Sequence, residues 1–382
     1  MIYLDHAAAT PVSKKAKAAM EPYFSELFFN PSAPYLPAKQ VKDTYKKAKD
    51  EIAHTIGAKG ADLIITAGAT ESINLAFTVA DKNQQILYLS AEHTAVRAAA
   101  ENHPHAEIAV DQTGRIILDD LAAKITENTV LISVALANNE LGTVQPIAEI
   151  AELIKQERDA RRAKNNSLPL YLHSDASQAL NLLDINVARL GVDLLTINAA
   201  KVGGPKGVGA LYLSHQVKLK PIVKGGGQEQ NLRSGTENVP GVMGFAAAAT
   251  ETKEHLNGNR KKYQKLAELL KNELKNAVIT PQFLGNKKHS LVNFVPVCFP
   301  GIDAERLIYK LEEQGVYLST GAACAASKGE KSHVLSAIGL SDEEIAGSLR
   351  ISLGVLNNED NIKQAGALIV QAVNEEAERL GL

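Results

Sequence analysis

Five polar side chains follow short apolar runs that read as buried strands, and their types suit cofactor chemistry. They are Thr70, His93, Asn139, Asp175 and Lys201. A carboxylate at the end of a buried strand is costly unless it caps a helix or pairs with a cation. Lys201 closes an apolar run and is followed by a glycine-rich turn. That turn contains a second lysine, Lys206, which is the alternative candidate for a reactive amine. Each residue alone has an ordinary explanation, and only their combination points to chemistry.

The segment Thr66–Ser72 has the composition of an anion site. Its small residues predict a turn that enters a helix, where free backbone N–H groups and the helix dipole would bind a phosphate. The Thr70 hydroxyl would add a donor. A plain N-capping turn explains the same segment. His93 is open to a capping role as well, and Asn138 with Asn139 either binds a ligand or closes a turn.

The combination matches the needs of one cofactor. Pyridoxal phosphate requires a lysine amine for its aldehyde, an acid for its pyridinium nitrogen, a cradle for its phosphate and a partner for its ring face. The chain offers Lys201 placed 26 positions after Asp175, the turn at Thr66–Ser72 and the imidazole of His93. The sequence therefore predicts pyridoxal phosphate as the cofactor.

Short apolar runs alternate with longer helical stretches and predict the elements that position these residues. Runs of this length suit strands that helices cover on both faces. We expect an α/β fold with a mostly parallel sheet, in which ligands bind beyond the carboxyl ends of the strands. The runs lie at 63–66, 86–90, 130–135, 170–173 and 193–197.

The pattern changes at about residue 251. An amphipathic helix over 260–277 is followed by shorter strands and helices, which predict a smaller α+β domain. We expect a large cofactor-binding domain over 14–250 and a small domain built from 1–13 and 251–382. The shorter strands are predicted at Val292–Val297, Val316–Ser319 and Leu349–Leu353.

Composition narrows the function classes. The chain has 382 residues with Lys+Arg 41 and Asp+Glu 43, a net charge of -2. This balance gives no broad basic surface for nucleic acid or an anionic membrane. No apolar run approaches the ~18 residues of a spanning helix, and the N-terminus lacks the features of a signal peptide. With two cysteines, Cys298 in an apolar strand pattern and Cys324 among small residues, we expect a cytoplasmic protein.

Short motifs occur in a fixed order along nearly the whole chain. They are Tyr3–Pro11, Gly68–Ser72, Glu92-His93, Asn138–Gly142, Asp175–Gln178, Gly204–Gly207, Arg233–Thr236, Gly321–Cys324 and Leu349–Gly354. Each motif is weak alone, but the ordered set resembles the cysteine desulfurases. These are class V aminotransferase-like enzymes of fold type I that depend on pyridoxal phosphate, and the resemblance is to the group that serves iron–sulfur cluster assembly.

The resemblance implies how the cofactor is held. Lys201 would bind the aldehyde and move protons at the substrate Cα, and Asp175 would pair with the pyridine nitrogen. Gln178 would contact the ring oxygen, while His93 would stack on the ring and assist proton transfer. The backbone of Ala69 and the side chain of Thr70 would bind the phosphate.

The resemblance also implies the substrate, the reaction and the partners. Arg350 with Asn139 would hold the carboxylate of L-cysteine, since a guanidinium matches a carboxylate bidentately. The Cys324 thiolate would attack the substrate sulfur, which releases alanine and leaves a persulfide. Thr236 would reach the phosphate of a second subunit, which implies a homodimer. The sulfur acceptor stays open between a cluster scaffold, a transfer-RNA thiolation protein and a small thiol.

Two departures from the family pattern stand out. Asn198-Ala199-Ala200 replaces the usual Ser or Thr, Gly and His, so an imidazole donor to the phosphate is absent at Ala200. We expect Asn198 or backbone amides to compensate. Tyr35 stands where the family usually has His. A selenocysteine lyase or other class V enzyme and a non-enzymatic regulatory relative are the alternatives to a desulfurase.

Overall fold

The computed structural model describes residues 1–321 and 331–382, so that Cys324 lies outside the described residues. The strands are β1 (Ile2–Tyr3), β2 (Leu63–Thr66), β3 (Gln85–Leu89), β4 (His105–Ile108), β5 (Thr129–Ser133), β6 (Tyr171–Asp175), β7 (Leu194–Asn198), β8 (Gly209–Leu213), β9 (Gln282–Phe283), β10 (Phe294–Cys298), β11 (Val316–Tyr317), β12 (Ser319–Thr320) and β13 (Ser348–Ser352).

Helices connect and cover these strands. They span Lys14–Met20, Pro22–Ser25, Leu36–Thr55, Ala69–Phe77, Thr94–Ala100, Leu118–Lys124, Ile147–Ala163, Val187–Leu190, Val239–Leu274, Ala304–Glu313, His333–Ala337, Asp342–Ala346 and Glu359–Leu380, and short 3-10 turns span Gly60–Asp62, Ala199–Lys201 and Glu229–Asn231. No helix in the described part of the chain is long and apolar enough to cross a membrane.

The large sheet has the strand order β2-β8-β7-β6-β5-β3-β4. The pairs from β7 through β4 are parallel, whereas β8 runs antiparallel to both of its neighbours. The predicted α/β class with a mostly parallel sheet is therefore confirmed. Strands β4 and β8 were not predicted, because continuous apolar runs were taken as the strand signal. Strand β4, at the sheet edge, alternates polar and apolar residues, and β8 follows a glycine-rich turn.

Both faces of this sheet are buried, as the continuous apolar runs require. In β5, Leu131 packs into the cluster on one face and its neighbour Ile132 packs into the cluster on the other face. The helices Ala69–Phe77 and Thr94–Ala100 cover the Leu131 face, and Leu36–Thr55 covers the opposite face. Parallel pairing of β5 with β6 and of β6 with β7 brings their carboxyl ends together at one edge of this covered sheet.

A second, antiparallel sheet has the order β12-β13-β10-β9, and β1 pairs in parallel with β11. The first residues of the chain thus lie beside segments beyond residue 290. The helix predicted over 260–277 is the second half of Val239–Leu274. The start of this helix was not predicted, because Pro240 and Gly241 are typical of turns. The Asn238 side chain accepts a hydrogen bond from Gly241 N at 3.1 Å and caps the helix there. This helix runs through residue 250, and the domain division stays a prediction.

Cys298 is the buried strand residue that its apolar context predicted. It ends β10, and its Sγ donates a hydrogen bond to the Glu344 carbonyl at 3.2 Å. Burial raises the pKa of this thiol to about 11. Cys298 is therefore an inert structural thiol rather than a nucleophile.

Candidate active site

A cavity of about 330 Å³ lies at the carboxyl ends of the central strands. It brings together most of the site residues that the sequence predicted: Ala69, Thr70, His93, Asn139, Asp175, Gln178, Asn198, Lys201 and Arg350. Thr236 is not among the residues that line this cavity and is exposed. Gly321, the last described residue before the Cys324 segment, lies on the cavity wall.

The strand ends explain why residues so far apart in sequence meet. Asp175 is the last residue of β6, and Asn198 is the last residue of β7. Lys201 ends the 3-10 turn after β7, and His93 stands just before the helix that follows β3. Because parallel strands end at a common edge, these side chains converge on one crevice.

Lys201 is held by the N-terminal segment. Its Nζ donates to the carbonyl oxygens of Ala7 and Ala8, at 2.7 and 2.6 Å. The Gln178 amide also donates to the Ala7 carbonyl, at 2.9 Å. The Tyr3 hydroxyl donates to carbonyls on both sides of this turn. The chain start therefore forms a wall of the cavity and positions the amine.

His93 both caps a helix and faces the cavity, so the two interpretations of this residue are compatible. Its Nδ1 accepts a hydrogen bond from Ala95 N at 3.1 Å. The proton of the neutral ring therefore lies on Nε2. Burial lowers the pKa of His93, while the Asp175 carboxylate opposes that shift. With Nδ1 used by Ala95 N, the neutral ring presents its Nε2–H as a donor.

The start of the helix Ala69–Phe77 has the unpaired N–H groups that an anion site requires. Among the described residues, no acceptor pairs with the N–H groups of Ala69 and Thr70. Gly68 precedes them with a φ of 146°, and a side chain there would meet nothing within 4 Å. The Asn198 side chain accepts from Ala200 N at 3.1 Å, which fixes the turn opposite. This end of the cavity is built largely from backbone groups.

The other end of the cavity is built from side chains on distant segments. Arg350, in the middle of β13, has a side chain only 6% exposed. Its Nη2 pairs with Asp5 Oδ1 at 2.7 Å, and its Nη1 donates to the Asn139 carbonyl at 3.3 Å. Its buried Nε has no hydrogen-bond partner in the part of the chain that the structure describes. Nη1 and Nη2 each keep a second N–H, and a guanidinium with such unused donors is suited to bind a carboxylate.

Sequence reasoning assigned no role to three residues of this site. Asp5 belongs to the first quoted motif, but nothing local connects it with Arg350. Glu92 is fully buried, and burial raises its pKa to about 8, although its Oε1 accepts from Ala135 N at 2.5 Å. Glu140 accepts from the Ser332 hydroxyl at 2.6 Å, and burial raises its pKa to about 7. For Glu92 and Glu140, the position next to His93 and Asn139 was the available signal.

The donor set fits pyridoxal phosphate. An amine (Lys201), a carboxylate (Asp175), an imidazole (His93) and a helix start with unpaired N–H groups line one cavity. The Asp175 carboxylate uses Oδ1 to accept from Ser177 N at 2.9 Å, which orients the group and leaves its second oxygen for a ring nitrogen. A Cβ at Gly68 would meet no atom within 4 Å, so there is open space beside this helix start for a phosphate.

Comparison with known proteins supports this interpretation. The family model described as aminotransferase class-V matches residues 2–365. The chain is 36% identical to a putative cysteine desulfurase IscS 1 of Bacillus subtilis, over 97% of this chain and 98% of the relative. It is also 36% identical to the cysteine desulfurase IscS of Methanosarcina thermophila, over 98% of this chain and 92% of that one.

Solved structures agree with the relatives. A NifS-like protein superposes with a TM-score of 0.89 and 30% identity, over 98% of this chain and 99% of that one. A NifS-like protein from Rickettsia africae gives a TM-score of 0.87 and 28% identity, over 99% of both chains. The predicted family is confirmed. The chain belongs to the aminotransferase class-V family and groups there with cysteine desulfurases.

Proposed function

We propose that this protein is a pyridoxal phosphate-dependent cysteine desulfurase. It converts L-cysteine to L-alanine and takes the sulfur as a persulfide on Cys324. The observation that carries the proposal is the meeting of Lys201, Asp175 and Arg350 on one cavity. An amine, an acid and a guanidinium suit the cofactor aldehyde, the cofactor ring nitrogen and the carboxylate of an amino acid.

The cavity residues divide the binding of the cofactor among them. Lys201 would hold the aldehyde, Asp175 the ring nitrogen and Gln178 the ring oxygen, with His93 on the ring face. Ala69, Thr70 and Asn198 would bind the phosphate. When bound, the cofactor supplies an aldehyde for the substrate amine and a ring that withdraws electrons from Cα.

The chain supplies the remaining steps. Arg350 and Asn139 orient the substrate carboxylate, and Lys201 takes the proton from Cα, assisted by His93. The Cys324 thiolate then attacks the substrate sulfur, and an S–S bond forms as the C–S bond breaks. The electron pair of the broken bond stays on Cβ, which takes a proton and yields alanine. The thiol becomes a persulfide without any external oxidant.

The partners and location belong to the same proposal. A homodimer is supported by an apolar surface that one chain leaves exposed. This surface comprises Phe24, Leu27, Phe28, Tyr35 and Leu36. Thr236, exposed in the single chain, would serve the site of the second subunit. A sulfur-acceptor protein and a reducing cytoplasm would return Cys324 to its thiol form after each turnover.

One set of assays tests the activity. The purified, cofactor-loaded protein is given L-cysteine, and alanine and sulfide are measured. We expect Lys201→Ala to lose the visible absorption of lysine-bound cofactor together with turnover. Cys324→Ser keeps the absorption but loses sulfur transfer, while the matched control Cys298→Ser keeps both. A wild type that cannot bind pyridoxal phosphate overturns the proposal, and faster turnover of selenocysteine than of cysteine makes the protein a selenocysteine lyase.

A further inference from the structure

The N-terminal segment and β13 lie side by side at the carboxylate-binding end of the cavity. Ser352 N donates to the Leu4 carbonyl at 2.8 Å, and His6 N donates to the Ser352 carbonyl at 3.2 Å. This pairing places the Asp5 side chain against the guanidinium of Arg350, from a position 345 residues earlier in the chain. The ion pair is thus fixed by backbone hydrogen bonds on both of its sides.

The contacts between Asp5 and Arg350 show whether Asp5 orients the guanidinium or occupies the donors that a ligand would need. Asp5 touches the guanidinium through one contact, Oδ1 to Nη2 at 2.7 Å, and does not occupy it bidentately. A second N–H, on Nη1, donates to the Asn139 carbonyl. The Nε–H has no acceptor among the residues described and is buried. A guanidinium carries five N–H donors, so donors are left for a ligand.

The electrostatics favour the same conclusion. The Arg350 side chain is 6% exposed and the Asp5 side chain 16%. A cation that far from water is costly without an anion beside it. Before substrate arrives, Asp5 supplies that anion and prevents the guanidinium from turning out of the cavity. Nη1 and Nη2 each keep a second N–H, and these are the donors left for a carboxylate in the cavity.

We propose that Asp5 is a positioning residue for substrate binding, which orients Arg350 so that its unused donors receive the carboxylate of the amino acid. The inference rests on the proposed function, because it takes the ligand of Arg350 to be the substrate carboxylate. Asp5 acts through Arg350 and needs no contact with the cofactor. Its loss should therefore weaken substrate binding and leave cofactor binding and the chemical step intact.

The test compares Asp5→Asn and Asp5→Ala with wild type as loaded enzymes. We expect KM for L-cysteine to rise about 10–100-fold, because one hydrogen bond between charged groups is lost. We expect kcat to change less than about threefold. The visible absorption of bound cofactor stays the same. L-alanine binding, followed by the change it causes in that absorption, weakens by the same factor. Asp193→Asn is the matched control, since it removes a largely buried ion pair with Arg158, and neither residue lines the cavity.

A second measurement needs no turnover. In cofactor-free protein, Asp5→Ala should lower the melting temperature, and Asp5→Ala/Arg350→Met should recover part of that loss because no buried cation is left unpaired. An unchanged KM and L-alanine affinity in Asp5→Asn overturns the inference. A lowered KM also overturns it, since Asp5 would then compete with the substrate. If wild type binds L-alanine but does not desulfurate L-cysteine, the proposed function fails while the L-alanine and melting measurements still decide the role of Asp5.

Discussion

The two ends of the cavity are built by different means. The phosphate end uses the start of the helix Ala69–Phe77 and the turn after β7, and each is a local consequence of a strand that ends there. The carboxylate end joins residues 5, 139 and 350 through an ion pair and one hydrogen bond to a carbonyl. The first end depends on backbone geometry, whereas the second depends on charges brought together by the whole fold.

This difference predicts that the two ends fail independently. Damage to the backbone of the phosphate end should weaken cofactor retention and spare substrate affinity in the loaded enzyme. Damage to the charges of the carboxylate end should do the opposite. A variant that impairs both functions equally would show that the ends are coupled through the cofactor or through the fold.

The largest effect is expected at the carboxylate end. Arg350→Met removes the guanidinium that would bind the substrate carboxylate, and we expect kcat/KM for L-cysteine to fall about 100–1,000-fold. The visible absorption of bound cofactor should persist, because Arg350 is assigned no contact with it. Arg379→Met is a suitable control, since that arginine pairs with Glu376 in the C-terminal helix. Loss of cofactor in Arg350→Met would contradict the separation of the two ends.

A smaller effect is expected at the phosphate end. Gly68 has a φ of 146°, a conformation that side chains rarely adopt, so alanine there strains the backbone that bears the anion site. We expect Gly68→Ala to weaken pyridoxal phosphate binding about 10-fold, measured by titration of the cofactor-free protein, with KM for L-cysteine unchanged at saturating cofactor.

Gly339→Ala provides the matched control for this change. Gly339 has a φ of 86° and open space for a Cβ, but it does not line the cavity. It should lose stability to a similar degree while it keeps its affinity for the cofactor. Equal cofactor affinity in Gly68→Ala and wild type would contradict the assignment of this helix start to the phosphate site.

The same contrast explains what could be predicted from the sequence. Asp175 and Lys201 follow apolar strands, so a parallel sheet places them at one edge and their meeting follows from local pattern. Asp5 and Arg350 are paired by a register between the N-terminal segment and β13. No periodicity reports which strands become neighbours across 345 positions. Arg350 was found only through resemblance, and its partner was not found.

Buried carboxyl groups were missed for a related reason. Glu92 stands next to His93 in a quoted motif, and a charged residue before a helix reads as solvated. In the structure it is fully buried, and its Oε2 has no partner among the described residues. Burial of this kind is set by tertiary packing, which the spacing of apolar residues near Glu92 does not report.

The smallest effect concerns Glu92, the buried neighbour of the cavity residue His93. Burial raises the pKa of Glu92 from 4.5 to about 8. In the unfolded chain the proton leaves near the ordinary pKa, so folding retains a proton between pH 4.5 and 8. The stability of wild type should therefore fall as pH rises through that window and level off above it.

Glu92→Gln keeps an acceptor for Ala135 N and has no proton to lose. We expect its melting temperature, relative to wild type, to rise by a few degrees between pH 5 and 9, with Glu101→Gln as the surface control. A difference in melting temperature that stays constant from pH 5 to 9 would contradict the raised pKa, because Glu92 would then lose its proton at the same pH in the folded and unfolded protein.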